Sequence, residues 1–201
     1  TNDQHGCAND TRAVFAGAGG STSSNSDDMY YITLSSTGNA TFFGTLSSLL
    51  YGDYAAFSST TRGFFAGDGN ESNVINYITF STTGNGTDFG DLTAGTRSAA
   101  GCSSSTRGII AGNDVSASRN VITYITMSTT GNSTDFGDLS PGVYLQGAGS
   151  SKTRGIFGGG ASQTNVMQYI TIATTGNSTD FGDLTAARYR ISGTSTSHGG
   201  L

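Results

Sequence analysis

Asn120-Val-Ile-Thr-Tyr-Ile-Thr-Met-Ser-Thr-Thr-Gly-Asn-Ser-Thr-Asp-Phe-Gly-Asp-Leu139 is the stretch on which the fold turns. Its first nine residues are rich in β-branched and aromatic side chains, the signature of a strand. Thr-Gly-Asn then reads as a turn, because Gly and Asn suit positive φ. Ser133 to Leu139 reads as the returning strand. The same wording occurs four times, opening at Tyr31, Tyr77, Tyr124 and Tyr169 and closing at Leu46, Leu92, Leu139 and Leu184, always with a spacing of 15. Successive tyrosines lie 46, 47 and 45 residues apart. A fixed period of that size marks a repeat architecture, in which each copy buries its apolar surface against its neighbours.

Working outward, one copy runs from Ser98 to Leu139. Ser98–Ser104 is a first strand of small residues and Thr106–Gly112 a second strand that ends in glycine. Asn120–Ser128 and Ser133–Leu139 complete an antiparallel four-stranded meander. The third strand is apolar on both faces. In the second copy Val74, Ile78 and Phe80 point one way, Ile75 and Tyr77 the other. A sheet with one wet face would alternate more cleanly. Burial on both faces predicts a blade packed between blades. Ala55-Ala56, Ala99-Ala100-Gly101 and Gly147-Ala148-Gly149 suit innermost strands that converge on an axis. The expected fold is all-β, a β-propeller of four-stranded antiparallel blades. It forms one domain over 1–201, with copies at about 5–46, 54–92, 98–139 and 144–184. A fifth first-strand candidate, Ser192–Thr196, leaves two possibilities: a segment 189–201 that closes a four-bladed ring on blade one, or an array that continues. The closed ring is the favoured expectation.

Composition narrows the function. The chain has 201 residues, 31 of them glycine, and a net charge of -5 with one lysine, Lys152. No basic stripe exists to neutralise phosphates, so nucleic acid is not an expected partner. No stretch approaches the ~20 apolar residues of a membrane span. The chain starts at Thr1 and shows no signal peptide, so it reads as a processed product or a part of a longer protein. Cys7 and Cys102 occupy equivalent positions in the first and third copies and read as small buried residues, not a disulfide. His5 and His198 do not make a metal set, and no cofactor motif occurs.

The Arg-Gly-hydrophobic strand ending in glycines, Arg154-Gly155-Ile156-Phe157-Gly158-Gly159-Gly160, precedes the strand bearing Tyr169, and Phe181 follows. This resembles a kelch-type, galactose-oxidase-like blade, with Phe where kelch repeats carry Trp. The Thr-Arg-Gly, Tyr-Ile-Thr and Asp-Phe-Gly-Asp-Leu wording is more similar to repeats of bacteriophage and marine metagenomic structural proteins. That resemblance implies a non-enzymatic structural or attachment component of a virion or extracellular assembly, such as a fibre, tail or capsid decoration. Its implied partners are other virion or filament subunits and cell-surface glycans, and it implies membership of an oligomer. A lectin-like propeller is the alternative. A hydrolase or oxidase on the same scaffold is the second.

Three sets of residues merit a role. Arg62, Arg107 and Arg154, with Arg12, recur beside Asp88, Asp91, Asp135, Asp138, Asp180 and Asp183, while the first copy has Phe42 and Thr45 in place of the acids. Paired carboxylates can serve metal or acid/base chemistry. One structural Arg–Asp pair per copy is the favoured reading, because a catalytic pair is not normally built three times. Asn39, Asn85, Asn132 and Asn177 are glycosylation sequons as well as turn residues. The copies differ between second and third strands, where the Arg-to-Tyr spacing is 19, 15, 17 and 15. These loops carry Asn70 and Asn113. They share one end of a blade with the interblade connections, which carry Tyr51, Tyr54, Arg97, Tyr144, Arg188 and Tyr189. Loop variation on one face is the expected place for glycan or partner binding. Tolerated surface variation is the competing reading.

Overall fold

The structure, a computed structural model, describes residues 5–17, 27–48, 53–161 and 164–194. Blade one is β1 (His5–Ala8), β2 (Arg12–Ala16), β3 (Asp28–Thr33) and β4 (Thr41–Thr45). Blade two is β5 (Ala55–Ser58), β6 (Arg62–Ala66), β7 (Val74–Thr79) and β8 (Thr87–Asp91). Blade three is β9 (Ala100–Ser103), β10 (Arg107–Ala111), β11 (Val121–Thr126) and β12 (Thr134–Asp138). Blade four is β13 (Gly147–Ser150), β14 (Arg154–Gly158), β15 (Val166–Thr171) and β16 (Thr179–Asp183). Each is an antiparallel meander in chain order. The fold is an all-β propeller of four blades, as the repeat predicts. No helix among the described residues is long and apolar enough to cross a membrane.

The core lies between blades. Each blade has a forward face toward the next blade and a rear face toward the preceding one. Val14, Met29 and Phe43 on the forward face of blade one pack on Phe65, Ile78 and Phe80 on the rear face of blade two. Equivalent clusters join blades two and three, and blades three and four. This accounts for the third strands being apolar on both sides. A register shift in each outer pair, as between Ile122 and Thr123, is a β-bulge. It leaves Phe136 without a cross-strand partner and frees it for the forward face.

Small inner strands let the blades converge. A Cβ on Gly101 would stand 2.9 Å from the Ala56 carbonyl oxygen. A ladder of hydroxyls links these strands: Ser58 donates to Ala8 O, Ser103 to Ser58 O and Ser150 to Ser103 O, each at 2.7 Å. The interblade connections repeat too. Asp53, Ser98, Leu145 and Arg190 all take positive φ, between 52° and 58°. The N–H of Ser98 donates to Asp53 O, that of Leu145 to Ser98 O and that of Arg190 to Leu145 O.

The Thr-Gly-Asn segment is more than a hairpin turn. It lies within a seven-residue connection and reaches the preceding blade. In blade two, Gly84 N donates to Phe43 O at 2.8 Å, Gly86 N to Thr45 O at 2.7 Å, and Asn85 Oδ1 accepts from Thr45 N at 3.1 Å. Asn132 and Asn177 do the same for Asp91 and Asp138. Asparagine is chosen here for its carbonyl oxygen, and positive φ falls to the glycine (Gly131, φ 155°). The clasp covers an outer strand edge that would otherwise be exposed. It is why Gly137 (φ 146°) must lack a side chain: a Cβ there would sit 2.4 Å from Gly176 O.

The closing role expected of 189–201 is not made by its described part. Residues 191–194 form no strand and lie against β13 of blade four, where a Cβ on Gly193 would meet Ala148 O. Gly193 thus stands to Ala148 as Gly101 stands to Ala56, the position of a following blade's inner strand. Residues 195–201 lie outside the described residues.

Candidate functional site

The loop end is built from the connections that vary between copies. Arg97, entering blade three, forms ion pairs with Glu71 of blade two (3.4 Å) and Asp114 of blade three (3.2 Å). Asp114 also meets Arg119 at 3.8 Å, and the Arg119 guanidinium lies 4.9 Å from the centre of the Tyr144 ring. Ser116–Ser118, a 3-10 turn, sets Arg119 toward that ring. Glu71 is held at positive φ (62°) by a loop that folds around Asp68, whose Oδ1 accepts from Asn70 N and Ser72 N. The result is a partly exposed chain of charge and aromatic surface across blades two, three and four. Exposed ion pairs contribute little to stability. Their worth here is to hold a patterned surface.

Arg188 and Tyr189 are exposed on the adjoining connection, where Arg190 N donates to Leu145 O beside Tyr144. Asn70 is exposed on the blade-two loop. Tyr51 lies outside the described residues. Two expected site residues are structural instead. Tyr54 is buried; its hydroxyl donates to Ala16 O (2.8 Å), accepts from His5 N (3.0 Å), and burial pushes its pKa up. It pins blade two to blade one. Asn113 is buried too, accepting from Arg97 N and Val115 N and donating to Gly95 O and Ser118 Oγ. It shapes the loop that carries Arg97 and Asp114.

The expected Arg–Asp pairs are not formed among the described residues. Arg12, Arg62, Arg107 and Arg154 lie instead 4.5–4.8 Å from the ring centres of Tyr31, Tyr77, Tyr124 and Tyr169. The outward N–H groups of the first three donate to the next blade's backbone: Arg12 to Phe80 O, Arg62 to Met127 O and Ser128 O, Arg107 to Ile172 O and Ala173 O. The planar guanidinium suits both partners at once. Asp88 and Asp180 accept from Gly90 N and Gly182 N, and Asp138 from Asn120 Nδ2; Asp91 and Asp183 sit at the ends of outer strands. Asp135 is exposed. We expect Arg107→Lys to lower stability by about 1–2 kcal/mol, from the lost stacking and carbonyl contacts. Asp135→Ala should change it by less than about 0.5 kcal/mol. Urea melts of both variants test this; a larger loss at Asp135 would restore the ion-pair reading.

The axis holds a void of ≈ 340 Å³ lined by Gly6, Ala56, Ser58, Gly101, Ser103 and Ser150 among others, with no carboxylate, histidine, lysine or arginine among the described residues that line it. Among the described residues no group of three or more His, Cys, Asp and Glu side chains could hold a metal ion. Cys7 and Cys102 are free and buried. Burial pushes the Cys102 thiol from 9.0 up to about 12. Above about pH 9 the unfolded chain loses this proton while the folded chain keeps it, so stability falls as pH rises toward 12. Cys7 and Tyr54 shift in the same direction. Cys102→Ala should therefore show a shallower alkaline decline in urea midpoint; an unchanged slope would remove Cys102 as a cause.

The geometry defines a propeller protein. Asn39, Asn85, Asn132 and Asn177 are exposed on its outer connections. No family model matches the chain, and no curated protein sequence matches it. Among solved structures it is similar to one described as "Structure of YjhT", with a TM-score of 0.71 and 8% identity. That likeness covers 92% of this chain and 66% of the other, so the chain spans just under two thirds of that protein's length. It shows the fold alone.

Proposed function

We propose that this chain is a non-enzymatic structural and attachment module of an extracellular or virion assembly. Its loop end contacts a partner subunit or a surface glycan. The observation that carries this reading is the linked chain Glu71–Arg97–Asp114–Arg119–Tyr144 on variable loops. Cores and clasps recur between copies, whereas this surface occurs once. The kelch-like and phage-like wording of the repeats supports the virion setting by analogy.

The glycan reading draws on Tyr189, an exposed ring beside Arg188. Such a ring stacks on sugar faces while arginines hold carboxylate or hydroxyl groups. Immunogold labelling of particles and filaments from the source tests the assembly reading; label on none of them overturns it. A glycan array probed with the chain and with Tyr189→Ala tests the glycan arm. Binding that depends on Tyr189, with no particle label, would make the lectin-like alternative correct.

A further inference from the structure

Asn85-Gly86 is the one Asn-Gly step in the chain. The corresponding clasp residues are Asn39-Ala40, Asn132-Ser133 and Asn177-Ser178. The difference carries chemistry. A backbone nitrogen can attack the carboxamide carbon of the asparagine before it, and a side chain on the attacking residue obstructs the approach. Glycine has no side chain, and its backbone freedom lets the five-membered ring close.

Packing explains why glycine stands there. A Cβ on Gly86 would lie 2.9 Å from Leu46 Cδ2 and 3.3 Å from Leu46 Cα. Leu46 is buried in the core between blades one and two. Ser133 and Ser178 use their hydroxyls to hold the preceding connection, accepting from Thr93 N and Ser140 N. In blade two Asn76 holds that connection from the third strand, accepting from Ser47 N at 3.1 Å. Blade packing thus sets glycine at 86, and a reactive step comes with it.

In the folded chain one residue of blade one holds both reacting groups. Gly86 N donates to Thr45 O at 2.7 Å, and Asn85 Oδ1 accepts from Thr45 N at 3.1 Å. Gly84 N, bound to Phe43 O at 2.8 Å, anchors the segment on the other side of Asn85. The proton of the attacking nitrogen is engaged, and the carboxamide is turned toward Thr45. Neither group is free for ring closure. Water is not limiting, because Asn85 is exposed.

We propose that Asn85 is a site of spontaneous deamidation, unlocked only when the clasp leaves blade one. Gly86 N attacks Asn85 Cγ. The new N–Cγ bond forms, the Cγ–Nδ2 bond breaks, and ammonia leaves with the proton from Gly86 N. Water then cleaves one of the two carbonyl–nitrogen bonds of the succinimide. Cleavage of the new bond leaves an aspartate, whose oxygen still accepts from Thr45 N. Cleavage of the original peptide bond leaves an isoaspartate, with the main chain running through Cβ and Cγ. That adds one main-chain atom between Gly84 N and Gly86 N, so the two no longer match Phe43 O and Thr45 O together. Separation of blades one and two is recorded covalently, and the isoaspartate product leaves the outer edge of blade one uncovered. The site lies between the first two blades, away from the loop end, so it stands or falls separately from the function proposed above.

Peptide mapping by mass spectrometry on the 201-residue chain, held at mildly alkaline pH, tests it. In urea Asn85 should convert first, ahead of Asn132 and Asn177. Gly86→Ala should remove that lead in urea, where folding plays no part. In buffer, conversion at Asn85 should slow by at least about tenfold. Hydrogen exchange at Gly86 N–H should slow by a similar factor, because both reactions need the same local opening. Thr45→Pro removes the N–H that holds Asn85 Oδ1. It should speed conversion at Asn85 and leave Asn132 and Asn177 unchanged. If that variant does not fold, the exchange comparison decides. An Asn85 that is not first in urea overturns the site. Equal rates in buffer and urea overturn the clasp as its lock. So does a Gly86 N–H that exchanges freely while Asn85 stays intact, or stays protected while Asn85 converts.

Discussion

Phe64→Ala should lower the unfolding free energy by about 3–5 kcal/mol, the range for truncating a buried aromatic ring. Phe64 is fully buried on the forward face of blade two. Its ring stacks on Phe57 at 5.2 Å with planes 10° apart, and meets Phe89 edge-on at the same distance. Tyr77 closes a third side at 6.4 Å. These contacts join the inner, second, third and outer strands of one blade. The ring also belongs to the cluster that holds Ile110, Ile125 and Met127 of blade three. Alanine therefore opens a cavity against both sheets, and the rigid rings around it cannot collapse into the space. Phe42→Ala is the control, because that ring is exposed and meets Tyr30 edge-on. Its effect should stay near about 0.5 kcal/mol. Urea denaturation reads both. Similar losses for the two would mean that the core does not lie between blades.

The strands and their grouping were legible because two periods coincide. Third strands apolar on both faces and the constant copy length both pointed to sheets buried on two faces. The partners of Arg12, Arg62 and Arg107 were not legible. Each donates to a backbone carbonyl of the next blade, and any sequence offers a carbonyl there. Asp88, Asp135 and Asp180 looked like partners because carboxylates are the charged acceptors that a sequence marks. Tyr54 and Asn113 were misplaced for a different reason: loops were treated as surface. The signal lay in alignment between copies. Tyr54 immediately precedes Ala55 as Ala99 precedes Ala100, so it stands at a strand entry. Gly67-Asp68 and Gly112-Asn113 share a Gly-Asx pair that turns the chain. The cluster of Glu71, Arg97, Asp114 and Arg119 needed three dimensions, because its members belong to separate copies with loops of unequal length.

Gly108→Ala should cost about 1–3 kcal/mol or more through overpacking, although it adds a single methyl. A Cβ at Gly108 would lie 2.0 Å from Phe57 Cε2, with two more ring atoms within 2.8 Å. The Phe57 ring cannot retreat, because Phe64 is stacked behind it. Blade two must then shift against blade three. Gly155→Ala should cost less, since its first neighbour is the Cys102 sulfur at 2.8 Å. The cause is testable by coupling. Phe57→Ala alone should destabilise by about 3–5 kcal/mol through the cavity beside Phe64. In the double variant the new methyl enters space that the ring has vacated. Its loss should fall short of the sum of the single losses by at least about 1 kcal/mol. Losses that add within about 0.5 kcal/mol would show that Gly108 is required for some other reason.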